Sequence, residues 1–306
     1  MKVLVVANNK NNGFAPFITE QARALENVGV TVEWFGVQGR GLTGYMRCLP
    51  ALRRKIRECK PDIIHAHYGL SGLLANLQRQ VPVVTTYHGS DINDPQVRPL
   101  SRMAMRLSRH NIFVSRRTLD MVAPRSKYSL IPCGIDLSDT QMTEKPEARH
   151  RMNLQPDGRY ILFAGAFQNK IKNAPLAKET VAMLEPETEL LELRGYTREQ
   201  VTLLMCAADA FLLTSFTEGS PQVVKEAMAC GCPIVSVDVG DVIERTEGVE
   251  GCYVAQSRDP QELAALLQKA IAFNGKTCGR EKIITDGLDN RQVAQRLVEI
   301  YESVAR

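Results

Sequence analysis

Two glutamates, Glu218 and Glu226, stand eight residues apart in the stretch FTEGSPQVVKEAMACGCPIVSVD (216–238), one on each side of Gly219, Ser220 and Pro221. Serine before proline reads as a helix start: the serine caps exposed backbone N–H groups, and proline suits the first helical position. The spacing predicts a helix from Pro221 to Cys230, stopped by Gly231, and then a strand from Ile234 to Val237. Glu218 falls in the loop before that helix and Glu226 about one and a half turns inside it, so the two carboxylates cannot do the same job. The start of a helix is a site for an anion, and the small residues Gly219 and Ser220 let a ligand approach the chain. Glu226 then lies beside whatever the anion is attached to. The competing reading is a pair of solvated acids on a surface helix, and only a matching site elsewhere in the chain decides between them.

The elements that must position these residues alternate. Apolar runs at 3–6, 30–37, 63–67, 81–88, 112–115 and 128–132 are separated by amphipathic segments such as Phe17 to Val28. The second half repeats the plan with runs at 160–165, 190–195, 210–215, 233–237 and 251–255. Strands alternating with helices of this length predict two parallel, doubly wound α/β sheets. The polar stretch 135–157, with Pro146 and Pro156, is the expected junction. The expected domains are 1–150 and 151–289, with a final helix at 290–306 that packs back on the first domain. Ligands of such sheets bind beyond the carboxyl ends of the strands, which gathers the loops 8–14, 87–91, 165–173 and 216–221.

Length and composition fit this plan. The chain has 306 residues, 44% hydrophobic and 24% charged, enough for two ordinary cores. No apolar run approaches the roughly 18 residues of a membrane span. The eight cysteines show neither disulfide nor zinc spacing, which points to reduced thiols and a cytoplasmic protein. The net charge of +4 is uneven: residues 1–150 carry 21 Lys and Arg against 12 acids, and the remainder 17 against 22.

The pattern E-G-x6-E-A-M-A-C-G-x-P-I-V, from Glu218 to Val235, resembles the donor-site signature of glycosyltransferase family 4, whose members have the GT-B fold of two Rossmann-like domains facing each other across a cleft. IPCGID (131–136) is similar to the family's I-P-N-G-[VI]-D, and ILFAG followed by Lys172 and Asn173 is similar to its strand, glycine and lysine. GVEGCYV (248–254) resembles its later D-G-x-N-G-x-L-V. The resemblance implies a retaining transferase that moves a sugar from a UDP- or GDP-sugar to a hydroxyl acceptor, a glycan or lipid-linked intermediate of cell-surface polysaccharide synthesis. It implies that Glu226 accepts from the ribose hydroxyls, that Gly219, Ser220 and Pro221 hold the diphosphate, and that Glu218 touches the donor sugar. Lys172 neutralises phosphate charge, with Gly13, Gly165 and Asn173 completing the donor site. No D-x-D occurs, so no metal cofactor is expected and lysine with the helix dipole serves instead. Two positions depart from the family. Ala166 replaces the usual arginine, leaving Lys170 as a candidate substitute, and Asn11, Asn12 and Gly13 replace a double glycine.

His88, in TYHGSD, resembles the first-domain histidine that the family sets against the donor sugar, and with Glu218 and Lys172 it makes up the expected catalytic set. Of His65 and His67 in IIHAH, one is expected to face the ligand. Two basic segments, 44–60 and 98–127, fit either an anionic membrane surface, which would place the protein at the inner face of the membrane, or a solvated helix face. Nucleic acid is not an expected partner, since no recognition motif occurs and aromatic residues are 6% of the chain. The first strand lacks the G-x-G-x-x-G of a dinucleotide oxidoreductase. A GT-B epimerase, marked by donor turnover without acceptor, and a non-catalytic sugar-nucleotide binder, marked by binding without turnover, share the remaining features.

Overall fold

The computed structural model describes residues 1–9, 13–184 and 187–305. The apolar runs become eleven strands among these residues, and the central ones, at 63–67, 83–87, 160–163, 210–213 and 234–237, are fully buried, as expected where helices cover both faces of a parallel sheet. The first unit, Met1–Gly134 with Leu288–Arg306, holds β1 (Lys2–Asn8), β2 (Thr31–Val37), β3 (Ile63–His67), β4 (Val83–Tyr87), β5 (His110–Phe113) and β6 (Tyr128–Leu130). All pair in parallel, in the order β2-β1-β3-β4-β5-β6. The second unit, Ile135–Gly287, holds β7 (Tyr160–Phe163), β8 (Glu189–Glu192), β9 (Ala210–Leu213), β10 (Ile234–Val237) and β11 (Cys252–Ala255), in the order β11-β10-β9-β7-β8. Each sheet reverses its strand order once, between β1 and β3 and between β7 and β9, and the crevice at such a reversal is where open α/β sheets take ligands.

The junction lies at Gly134, earlier than 150. The stretch after it is polar because it is clamped by polar contacts, not because it is a free linker. Its helix Lys145–Arg151 packs on Arg198–Ala207, and buried Arg149 meets both carboxylate oxygens of Asp209 at 3.0 Å. Arg280 donates to the carbonyls of Leu137 and Thr140, both at 2.7 Å. The last helix, Asn290–Ala305, belongs to the first unit. Val293, Ala294, Leu297 and Tyr301 join the core formed by Val3, Val5, Ile18 and Leu25, and the helix lies along Pro16–Asn27. Its period-3.6 apolar stripe is what gives it that place.

Candidate active site

In the second unit the site grows from the ends of β7 and β9. Gly165 follows β7, and a β-carbon there would stand 3.2 Å from Cγ of Lys172, so glycine leaves the lysine its path. A single 3₁₀ turn, Lys170–Lys172, follows, and Asn173 at φ 55° turns the chain into the helix Ala174–Val181. Buried Thr214, just past β9, shares its hydroxyl proton between the carbonyls of Lys172 (2.9 Å) and Asn173 (3.0 Å). Arg258 donates to the carbonyls of Thr214 at 2.9 Å and Ser215 at 2.7 Å and lies over the Phe216 ring. These ties fix two loops against each other. Between them the Lys172 ammonium meets Oε1 of Glu218 at 2.8 Å, both side chains largely buried. Lys170, in the same turn, is exposed, with no ion pair or hydrogen bond of its side chain among the described residues.

The helix after Glu218 is Gln222–Ala229, and Pro221, not Ser220, is its N-cap. Ser220 does not cap because its hydroxyl donates to Oδ2 of Asp241 at 2.9 Å and receives from Nζ of Lys225 at 3.2 Å. Lys225 is fully buried and Asp241 nearly so. Burial pushes the Asp241 carboxyl above its ordinary range, and the charges of Lys225 and Arg245 pull it back. Gly240 lets this happen: its φ is +60°, and a β-carbon would stand 2.8 Å from the Gly219 carbonyl. Glu226 points from the same helix, 3.5 Å from the Arg198 guanidinium. Burial raises its carboxyl, opposed by Arg198, Lys225 and Lys172. The structure therefore brings Gly165, Lys172, Asn173, Glu218, Gly219, Ser220, Pro221 and Glu226 into one region of the second unit. It adds Lys225, Asp241, Arg198 and Arg258, which the motifs did not reveal. Lys225 had a signal, since Met228 and Ala229, three and four residues on, are apolar and place it on the buried face of the helix.

His88 and Gly13 belong to the first unit. His88 follows β4, and both of its ring nitrogens are engaged there, Nε2 with Nδ1 of His67 at 3.0 Å and Nδ1 with the Cys133 thiol at 3.6 Å. Its loop is held by Asp91, whose buried carboxylate accepts from the backbone N–H groups of His88 (3.0 Å), Gly89 (3.1 Å) and Gly69 (2.9 Å). Burial lifts Asp91 to about 6. His65 and His67 do not divide between two faces. Residues two apart on a strand share a face, and their rings stack at 4.4 Å, both buried. His65 is closed off by Thr86 at 2.7 Å and the Tyr301 hydroxyl at 2.6 Å, and burial lowers it to about 3. Asn11 and Asn12 lie outside the described residues.

A lysine, a carboxylate and a helix start thus meet at the switch point of a parallel sheet. Comparison with known proteins names the class. The model of Glycosyltransferase Family 4 matches residues 2–139, and that of Glycosyl transferases group 1 matches 161–272. The chain belongs to glycosyltransferase family 4 and has the GT-B fold. It is 30% identical over 221 residues to the putative teichuronic acid biosynthesis glycosyltransferase TuaC of Bacillus subtilis, covering 61% of this chain and 56% of TuaC. It is 26% identical over 268 residues to a D-inositol 3-phosphate glycosyltransferase of Actinosynnema mirum, covering 69% of this chain and 64% of that one. The chain thus spans about three-fifths of the length of these relatives. Among solved structures, Anabaena Alr3699/HepE in complex with UDP superposes with a TM-score of 0.78 at 17% identity, over 99% of this chain and 100% of that one.

Proposed function

We propose that the protein transfers a sugar from a nucleotide diphosphate sugar, a UDP-sugar in the first instance, to a hydroxyl of a glycan acceptor, with retention at the anomeric carbon. The observation that carries this reading is the Lys172–Glu218 pair at 2.8 Å beside the Gly219–Pro221 turn and Glu226. The lysine has three donors, so it can keep Glu218 and still meet a diphosphate. As the bond to the anomeric carbon breaks, negative charge grows on the leaving diphosphate, and a fixed ammonium with the dipole of Gln222–Ala229 favours that charge without a metal. Glu226 accepts from the ribose hydroxyls, and Glu218 faces the donor sugar. HepE, described in complexes with UDP and with UDP-glucose, supports the choice of base.

A thermal-shift panel of UDP, GDP and ADP, run on the wild type and on Glu226→Ala, tests the donor site. A nucleotide at about 100 times its dissociation constant adds about 2.7 kcal/mol of stability. The expected outcome is a shift with UDP that Glu226→Ala abolishes; no shift with any of the three refutes a donor site here. Transfer is expected to survive chelation of divalent metals.

We also propose contact with an anionic membrane surface through 98–127 alone. In 44–60 the apolar residues Tyr45, Leu52, Ile56 and Cys59 are packed in the core, and apart from Pro50 and Ala51 the exposed residues are charged. In the second segment the helix Arg98–Leu107 exposes Met103 and Leu107 next to Arg102 and Arg106, a mixed surface suited to lipid. Among the described residues no helix is long and apolar enough to cross a membrane. Binding to vesicles containing anionic lipid, lost on raising salt and weakened by Arg102→Glu with Arg106→Glu, is the expected result. Binding that ignores salt sinks it.

A further inference from the structure

Three of the eight cysteines, Cys206, Cys230 and Cys232, line one cavity of about 330 Å³ in the second unit. All three are buried, but exposed Glu144, Pro146, Asn274 and Lys276 form part of the same wall, so a small solute reaches the cavity from the surface. Cys230 caps the end of Gln222–Ala229 opposite to the one that faces Glu218, and the transfer reaction uses none of these thiols.

Cys206 stands one residue before the end of the helix Arg198–Ala207. A helical side chain lies over the turn that precedes its own Cα, so the Cys206 sulfur covers the turn beginning at Thr202, four residues back. The Cys230 sulfur reaches the same turn, 3.8 Å from the Thr202 carbonyl. The two thiols meet there, and Cys230 shares its proton between that carbonyl and the Cys206 sulfur. The Cys206 sulfur also accepts the Thr143 N–H at 3.5 Å, and Lys276, paired with Glu144 at 2.7 Å, adds a positive charge to the wall. The Cys230 thiol first, then the Thr143 N–H and Lys276, hold Cys206 down to about 7 against burial and Glu144. The same thiol–thiol bond, with burial, pushes Cys230 well above its ordinary range, and burial does the same to Cys232. A thiol that ionises readily, with a protonated one in contact, is a nucleophile beside its resolving partner.

We propose that Cys206 and Cys230 are a modification site for hydroperoxides: one that enters the cavity oxidises Cys206, and Cys230 then closes a disulfide on it. The Cys206 thiolate, its proton given to solvent, attacks one peroxide oxygen. The S–O bond forms, the O–O bond breaks, and the other oxygen leaves as alkoxide or hydroxide and takes up a proton. Cys230 then gives its proton to solvent and attacks the Cys206 sulfur; the S–S bond forms, the S–O bond breaks, and hydroxide leaves to become water. Two thiols lose two electrons in all, one hydroperoxide gains them, and the products are a disulfide, one water and one alcohol, or a second water from hydrogen peroxide. The new bond ties the helix of Arg198 to that of Glu226, the two ends of one ion pair. The site does not depend on which sugar is transferred, or on transfer at all.

The full chain is reduced, freed of reductant and treated at pH 7 with hydrogen peroxide; free thiols are then blocked in denaturant and linked peptides mapped by mass spectrometry. Two of the eight thiols are expected to go first, joined as Cys206–Cys230, and to return with dithiothreitol. At pH 7 about half of a thiol that titrates near 7 is thiolate, against about 3% of an ordinary one, an advantage of about sixteenfold. The lower nucleophilicity of the more acidic sulfur trims that to about threefold, so the pair is expected to disappear about threefold faster than exposed Cys278. Cys230→Ser is expected to stop the disulfide and let a cyclic 1,3-diketone trap Cys206 as its sulfenic acid, whereas Cys206→Ser leaves Cys230 unoxidised. The linkage map of the wild type decides even where a variant fails to fold. A first disulfide that leaves out Cys206 or Cys230, loss no faster than that of Cys278, or a Cys206→Ser chain whose Cys230 oxidises at the wild-type rate overturns the proposal.

Discussion

At the scale of the residue, Lys225 is the side chain with the most at stake. A fully buried ammonium needs partners, and Ser220 and Asp241 are two that answer it. Lys225→Met leaves Asp241 buried with Arg245 at 3.4 Å as its remaining cation and the Ser220 hydroxyl at 2.9 Å. The expected loss is about 3 kcal/mol, the lower end for a broken buried pair, because Arg245 remains. Urea unfolding measures it, and Lys225→Met combined with Asp241→Leu is expected to recover most of the loss. A single variant as stable as the wild type would show that the buried charges do not depend on one another. The carboxylates Glu218 and Glu226 could be read from the sequence because loop and helix spacing separate them. The hydroxyl of Ser220 could not, because its partner Asp241 lies 21 residues on, and a cap is inferred only from neighbours in sequence.

At the scale of the element, the segment Gly219–Pro221 takes its shape from outside itself. Gly240, at φ +60° after β10, backs directly onto the Gly219 carbonyl, so the turn after β10 supports the turn before the helix Gln222–Ala229. Gly240→Ala is strained at its own backbone and pushes on that carbonyl. About 2–3 kcal/mol of stability is expected to go, and the nucleotide-induced thermal shift with it. A variant that loses stability but keeps the full nucleotide shift would show that the two turns are independent. The strands were legible because buried parallel strands read as unbroken apolar runs, and all eleven runs became strands within a few residues of where they were read. The polar stretch 135–157 marked where the second unit begins, but the boundary at 150 was late, because Arg149 on Asp209 and Arg280 on Leu137 and Thr140 are contacts across long stretches of chain that composition does not record.

At the scale of the whole chain, the buried histidines of the first unit set its response to acid. His65 is lowered to about 3 and His67 well below its ordinary value, both by burial, whereas in the unfolded chain a histidine takes its proton near pH 6.5. As pH falls below about 6.5 the unfolded chain therefore binds protons that the folded one refuses, and stability falls by about 1.4 kcal/mol per pH unit for each histidine. Asp91 works the other way. Its folded carboxyl titrates at about 6 against roughly 3.9 unfolded, so between those values the folded chain holds the extra proton, and Asp91 alone would make stability rise as pH falls. Two losses against one gain leave a net loss of about 1.4 kcal/mol per pH unit between about pH 6 and pH 4, to which His110, also lowered by burial, adds. Urea unfolding followed by Trp34, which belongs to the first unit, isolates this from the raised carboxyls of Glu226 and Asp241 in the second. His65→Gln, which keeps a polar group between Thr86 and Tyr301, is expected to flatten the slope by about one proton. A stability that stays level from pH 7 to pH 4, or a His65→Gln slope identical to that of the wild type, would mean that these imidazoles take up protons inside the fold and that His65 and His67 are not held neutral by burial.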